Sequence, residues 1–130
     1  MSRTPPLILC VDDETVGLQV RRMLLERAGY RVLTALDGVL GLEIFAREPI
    51  QAVVLDYSMP GMSGAEVAMR MRHTKPEVPI LLLSAYVDLP ADVKEVVNVC
   101  MTKGEGAPVL LEKLSRLVLN PADTIQSESL

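Results

Sequence analysis

VVLDYSMPGMSG, residues 53–64, decides how the rest of the chain is read. The apolar run Ala52–Leu55 delivers one carboxylate, Asp56, and a loop carrying Pro60, Gly61 and Gly64 follows at once. A short apolar run closed by turn formers suits a buried strand. Asp56 is therefore expected at the end of a core strand, facing a loop. A charge there needs a partner to balance it. Working outward, three other apolar runs end on polar groups. Asp12 and Asp13 follow Leu7–Val11, Ser84 closes the run that starts at Ile80, and Lys103 follows the run around Val97–Met101.

Helical patterns separate these runs. Val16, Val20, Met23, Leu24 and Ala28 fall on one face of a helix over Thr15–Ala28, which Gly29 stops. A second strand is expected over Arg31–Ala35. Asp37 then caps a helix to about Glu48 with Leu42, Phe45 and Ala46 inward, and Pro49 ends it. Ser63 and Glu66 read as a capping box for a third helix, through about His73. Pro90 sits in the first turn of a short fourth helix continuing through Asp92–Val97. Pro108 opens a fifth, with Leu110, Leu111, Leu114, Leu117 and Val118 toward the core and Asn120 and Pro121 at its end. Strand and helix alternate five times, which predicts a doubly wound parallel sheet with helices on both faces. Ligands of such sheets bind beyond the carboxyl ends of the strands. Asp12, Asp13, Asp56, Ser84 and Lys103 all fall at those ends.

Composition narrows the function. At 130 residues with 49% apolar content, the chain is read as one globular domain over residues 1–121, with a polar, disordered tail over 122–130. A net charge of −4 argues against nucleic acid as a partner. Cys10 and Cys100 lie in apolar runs and read as packed thiols, and one His with two Cys is too few for an ordinary structural zinc site. No apolar run approaches the roughly 18 residues of a membrane span. The start, MSRTPP, has no apolar signal core, so the cytoplasm is the expected location.

The polar groups suggest a chemistry. Carboxylates brought to about 4 Å repel by roughly 4 kcal/mol per pair at an effective dielectric near 20. A cluster of Asp12, Asp13 and Asp56 therefore calls for a cation, and all-oxygen donors suit a hard ion such as Mg2+. Mg2+ and Lys103 would together balance the three acids. A phosphoryl group entering the site would meet Mg2+, Lys103 and the Ser84 hydroxyl, and an Asp carboxylate is a competent nucleophile toward phosphorus.

In combination, DD at 12–13, LDYSMPGMSG at 55–64, LLLSA at 81–85 and TKG at 102–104 resemble the receiver domain of two-component response regulators over about residues 7 to 119. The resemblance implies a flavodoxin-like sheet of order 2-1-3-4-5. It makes Asp56 the phosphoacceptor. Asp12, Asp13, Asp56 and the backbone carbonyl of Ser58 become the Mg2+ ligands, and Lys103 and Ser84 the phosphoryl contacts. It also implies a sensor histidine kinase or phosphotransfer protein as donor and a downstream protein or output domain as target. The chain would then be a signalling module that catalyses only its own phosphorylation and dephosphorylation. His73 is expected on the surface.

Some positions depart from the resembled pattern. Cys100 stands where an aromatic switch residue is usual, and Gly104 where proline follows the lysine. The stretch from Ser84 to Lys103 is short, so the fourth helix is expected to be truncated and the response to phosphorylation to fall there. Tyr86 is a candidate substitute aromatic. Gly104 and Gly106 predict a flexible loop around Glu105. Met59, Met62, Met69 and Met71 read as packing residues. Two alternatives stand beside the receiver reading: a degenerate receiver acting as a protein-binding scaffold, and a Mg2+-dependent phosphatase using an aspartyl phosphate. The phosphatase reading lacks the acid such enzymes place two residues after the nucleophile, where this chain has Ser58.

Overall fold

A computed structural model describes residues 4–119. Five parallel strands, β1 (Leu7–Val11), β2 (Arg31–Ala35), β3 (Ala52–Asp56), β4 (Ile80–Ser84) and β5 (Val99–Thr102), form one sheet in the order β2-β1-β3-β4-β5. The three inner strands are buried along their whole length, which is why they read as unbroken apolar runs. Alternation sends Leu7, Leu9 and Val11 to one face and Ile8 and Cys10 to the other. On the first face α2 (Gly38–Arg47), α3 (Gly64–Thr74) and α4 (Ala91–Val96) cover a core centred on Phe45 and Met71. On the second, α1 (Thr15–Arg27) and α5 (Ala107–Leu119) contribute Leu18, Leu25, Leu110, Leu114 and Leu117.

The strand order places a switch point between β1 and β3. From β1 the chain crosses outward to β2, then returns past β1 to β3. The following connections therefore diverge at the carboxyl ends of β1 and β3 and open a crevice there. Asp12 follows β1 and Asp56 ends β3.

Local chemistry fixes the helix ends. Glu14 caps α1, accepting the Gly17 and Val16 N–H groups at 2.8 and 3.3 Å. At the other end Gly29 adopts φ +100°, and the Tyr30 and Gly29 N–H groups bond Leu25 O and Glu26 O. Asp37 caps α2 through Leu40 N–H at 2.8 Å. Ser63 caps α3 as expected, while the Glu66 carboxylate bonds Arg70 one turn on.

Five expectations are corrected. On α1 the buried residues are Leu18 and Leu25, whereas Val16, Val20 and Met23 are exposed. The inward stripe is Leu18–Arg21–Leu25, with a cation at its centre that an apolar pattern does not reveal. On α2 the buried positions are Gly38, Gly41, Ile44 and Phe45, and Ala46 faces outward. The Gly104–Gly106 segment is ordered as a 3-10 turn, Lys103–Glu105, because Glu105 accepts the Thr102 N–H at 2.8 Å and caps it. Met69 is exposed, while Met71 is fully buried and Met59 and Met62 pack against the core. Strand β5 starts at Val99 rather than Val97, since Asn98 N–H already bonds Ile80 O ahead of the ladder. Asn120, Pro121 and the tail lie outside the described residues. Among those described, no helix is long and apolar enough to cross a membrane.

Candidate functional site

The end of β3 and the loop after it are held by close backbone packing. Tyr57 N–H bonds Leu83 O at 2.9 Å and Gly64 N–H returns to Tyr57 O at 2.8 Å. A Cβ on Gly64 would stand 2.3 Å from Asp56 O and 2.7 Å from Tyr57 Cα, so only glycine lets α3 begin this close to the strand. Gly61, at φ +81°, turns the loop between them. Ser58 lies in this loop and is exposed.

Asp12, Asp13 and Asp56 converge. One carboxylate oxygen from each lies within 4.8 Å of the others. Asp12 and Asp56 are only 1% and 2% exposed, while Asp13 faces solvent. Because Glu14 serves as the α1 cap, neither Asp12 nor Asp13 is the capping residue. Lys103, projecting from the end of β5, places Nζ 2.8 Å from Asp56 Oδ1 and 3.7 Å from Asp12 Oδ2. Ser84 ends β4, beside Asp56 through the register pair Asp56↔Leu83. Its buried Oγ accepts the Tyr86 N–H at 2.8 Å. All five side chains singled out in the sequence thus fall at the carboxyl edge of the sheet.

A sixth was missed. Arg21 donates from Nη1 to Asp12 Oδ2 at 3.2 Å, and Asp12 Oδ1 accepts the Glu14 N–H at 3.0 Å. The available signal was the spacing Leu18–Arg21–Leu25, which puts a cation on the buried stripe pointing at the strand end.

The electrostatics follow from this packing. Burial raises the Asp56 carboxyl above its usual range; the hydrogen bond from Lys103 opposes the rise and the field of Asp12 adds to it. Burial would lower the Lys103 ammonium, but its bond to Asp56 and the fields of Asp56 and Asp12 outweigh that and raise it. Lys103 is therefore held as a cation. Nearby, burial pushes the Cys10 thiol up to about 12, so it is a packed, unreactive group. The shortened region beyond β4 is also as expected: α4 has 6 residues and no side-chain cap, and Tyr86 and Val87 are 59% and 87% exposed. Tyr86 and Cys100 share the wall of a small cavity of about 140 Å³. His73 is on the surface.

Comparison with known proteins matches residues 8–113 to the response regulator receiver domain. The response regulator MprA of Mycobacterium leprae is 44% identical over 78 residues, covering 60% of this chain and 34% of MprA. The chain spans about a fifth to a half of the length of the curated relatives it matches. The structure of Thermotoga maritima response regulator TrrA in complex with Mg2+ and BeF is similar at TM-score 0.82 and 34% identity, covering 86% of this chain and 98% of TrrA. TrrA bound to the histidine kinase ThkA is similar at TM-score 0.80 and 33% identity, covering 87% and 98% of the two chains.

Proposed function

Because this chain belongs to the response regulator receiver family, we propose that Asp56 is its phosphoacceptor, with Mg2+ held by Asp12, Asp13, Asp56 and the Ser58 carbonyl. The observation that carries this is the Lys103 ammonium 2.8 Å from Asp56 within a triad of acids, two of them buried. The donor set fits the ion: carboxylate oxygens of Asp12, Asp13 and Asp56 lie within 4.8 Å of one another, and an all-oxygen set would suit hard Mg2+. When bound, Mg2+ supplies positive charge to the phosphoryl oxygens.

The chain's own groups account for the rest. The Asp56 carboxylate, stripped of water, attacks phosphorus in line. The N–P bond of a phosphohistidine donor breaks, and the departing imidazole keeps the bonding pair and takes a proton from solvent. Lys103 shifts from Asp56 toward the incoming phosphoryl oxygens. The Ser84 hydroxyl, now accepting from Tyr86 N–H, donates to a phosphoryl oxygen. Because Ser84 is bonded to the backbone of Tyr86, that movement reaches the exposed residues 85–88 and the short α4, which lacks a side-chain cap. This region is the proposed output, with a downstream protein or attached domain as target and the cytoplasm as the setting. The donor is a sensor histidine kinase or phosphotransfer protein, as the pairing of TrrA with ThkA suggests.

The test is beryllofluoride, which mimics an aspartyl phosphate, followed by fluorine NMR and hydrogen exchange. Bound fluorine signals that require Mg2+ and vanish in Asp56→Asn, with changed exchange over residues 84–98, are expected. No bound signal at saturating Mg2+ would overturn the assignment.

A further inference from the structure

A second cation reaches the acidic site. Lys103 already pairs with Asp56, yet Arg21 reaches Asp12 from α1 as well. Its guanidinium is 13% exposed and the carboxylate 1%, so this pair is shielded from water and salt. Arg21 also lines a cavity of about 290 Å³ between α1 and α5, together with Gly17, Val20, Leu24, Leu110 and Lys103. The cavity gives the side chain room to leave Asp12. Among the described residues, the stripe that carries Arg21 is otherwise Leu18 and Leu25, and the acid its guanidinium meets is Asp12.

Resting on the reading of Asp56 as phosphoacceptor, we propose that Arg21 is a positioning residue that competes with the divalent ion for Asp12 and favours the phosphoryl group. Charge counting supports the two opposite effects. Asp12, Asp13 and Asp56 give three negatives against two positives from Lys103 and Arg21. Adding a divalent ion leaves one positive in excess, so Arg21 opposes metal binding. Phosphorylation turns the Asp56 carboxylate into a neutral ester carbonyl and brings a dianion. The sum is then four negatives against four positives. A neutral residue at position 21 would leave one negative unbalanced, so Arg21 favours the phosphoryl state. Arg21 thereby makes the metal and phosphoryl group depend on each other more strongly than Lys103 alone would.

The experiment compares the full chain with Arg21→Leu, which fills the same stripe, and Arg21→Lys, which keeps the charge. Mg2+ affinity is read from calorimetry and from the amide shifts of Asp12, Asp13 and Asp56. Beryllofluoride affinity is read at saturating Mg2+ from fluorine NMR. Even at the dielectric of bulk water, a unit charge about 6 Å from a divalent ion predicts that Arg21→Leu binds Mg2+ at least about tenfold more tightly. The same variant binds beryllofluoride about tenfold more weakly, and Arg21→Lys stays near the parent in both. Opposite signs are required: a role confined to holding Asp12 in place weakens both ligands together, and that result overturns the proposal, as does equal binding in parent and variant. If the parent binds beryllofluoride and Arg21→Leu matches it, only the role of Arg21 falls. If the parent binds neither ligand, the phosphoacceptor reading falls with it. Should Arg21→Leu fail to fold, Arg21→Gln carries the same pair of measurements.

Discussion

Replacing Arg72 with methionine should unfasten the amino ends of β4 and β5, the end of the sheet opposite Lys103. Arg72 projects from α3 and donates to four acceptors, two on the turn before β4 and two where α4 gives way to β5. Nε bonds Val96 O at 2.9 Å, and Nη1 bonds Pro76 O at 3.0 Å and Val78 O at 3.3 Å. Nη2 bonds Asn98 Oδ1. Asn98 is 5% exposed, and the same oxygen accepts the Ile80 N–H at 2.9 Å. One guanidinium therefore ties α3 to the turns before β4 and β5. Burial lowers the Arg72 pKa, as expected of a cation drawn partly out of water. Methionine keeps the length and apolar stem but none of the donors. The Pro76 bond is exposed, so water replaces it cheaply. The other three are partly buried, and at roughly 1 kcal/mol net each their loss comes to about 3 kcal/mol. For a domain of this size that lowers Tm by about 10 °C. Urea denaturation of Arg72→Met gives the stability loss, and hydrogen exchange at Asn98 and Ile80 gives its location. Arg72→Lys, with one ammonium, should fall between. A loss under about 0.5 kcal/mol, or one spread evenly over the sheet, would refute the clamp.

Two further outcomes follow from the site. The Asp56 carboxyl lies above its ordinary value of 3.8 in the fold, so its contribution favours the folded state at low pH and is lost as pH rises through the raised value. In chelator, Asp56→Asn should therefore melt higher than the parent at neutral pH, the gap closing toward about pH 4; a parent that stays the more stable at pH 7 contradicts the burial argument. Gly64→Ala sets a Cβ 2.3 Å from Asp56 O and must push α3 off the strand. It should cost about 3 kcal/mol in urea unfolding and slow phosphorylation of Asp56, and a neutral substitution would show that the close approach is not needed.

The inner strands were legible because a strand buried on both faces leaves no room for polar residues. Leu7–Val11, Ala52–Asp56 and Ile80–Ser84 have the bounds expected from their sequence. The acids and Lys103 were legible for a related reason: a polar group that ends an apolar run must sit at the sheet edge. The misread features depend on polar partners that an apolar pattern does not mark. Val16, Val20 and Met23 make a better apolar stripe than Leu18, Arg21 and Leu25, yet the latter faces the core because Asp12 is there to receive the arginine. Arg72 escaped notice because its acceptors are mostly backbone carbonyls, which no side-chain pattern marks. The Gly104–Gly106 segment read as flexible because its order comes from one carboxylate, Glu105, folding back on Thr102.

The most direct measurement is intact mass after incubation with Mg2+ and acetyl phosphate, run beside Asp56→Asn. A single Mg2+-dependent phosphoryl adduct, stable in acid, labile in base and absent from the variant, is the predicted result. A parent chain that gains no adduct, or a variant that gains the same one, would contradict the assignment of Asp56.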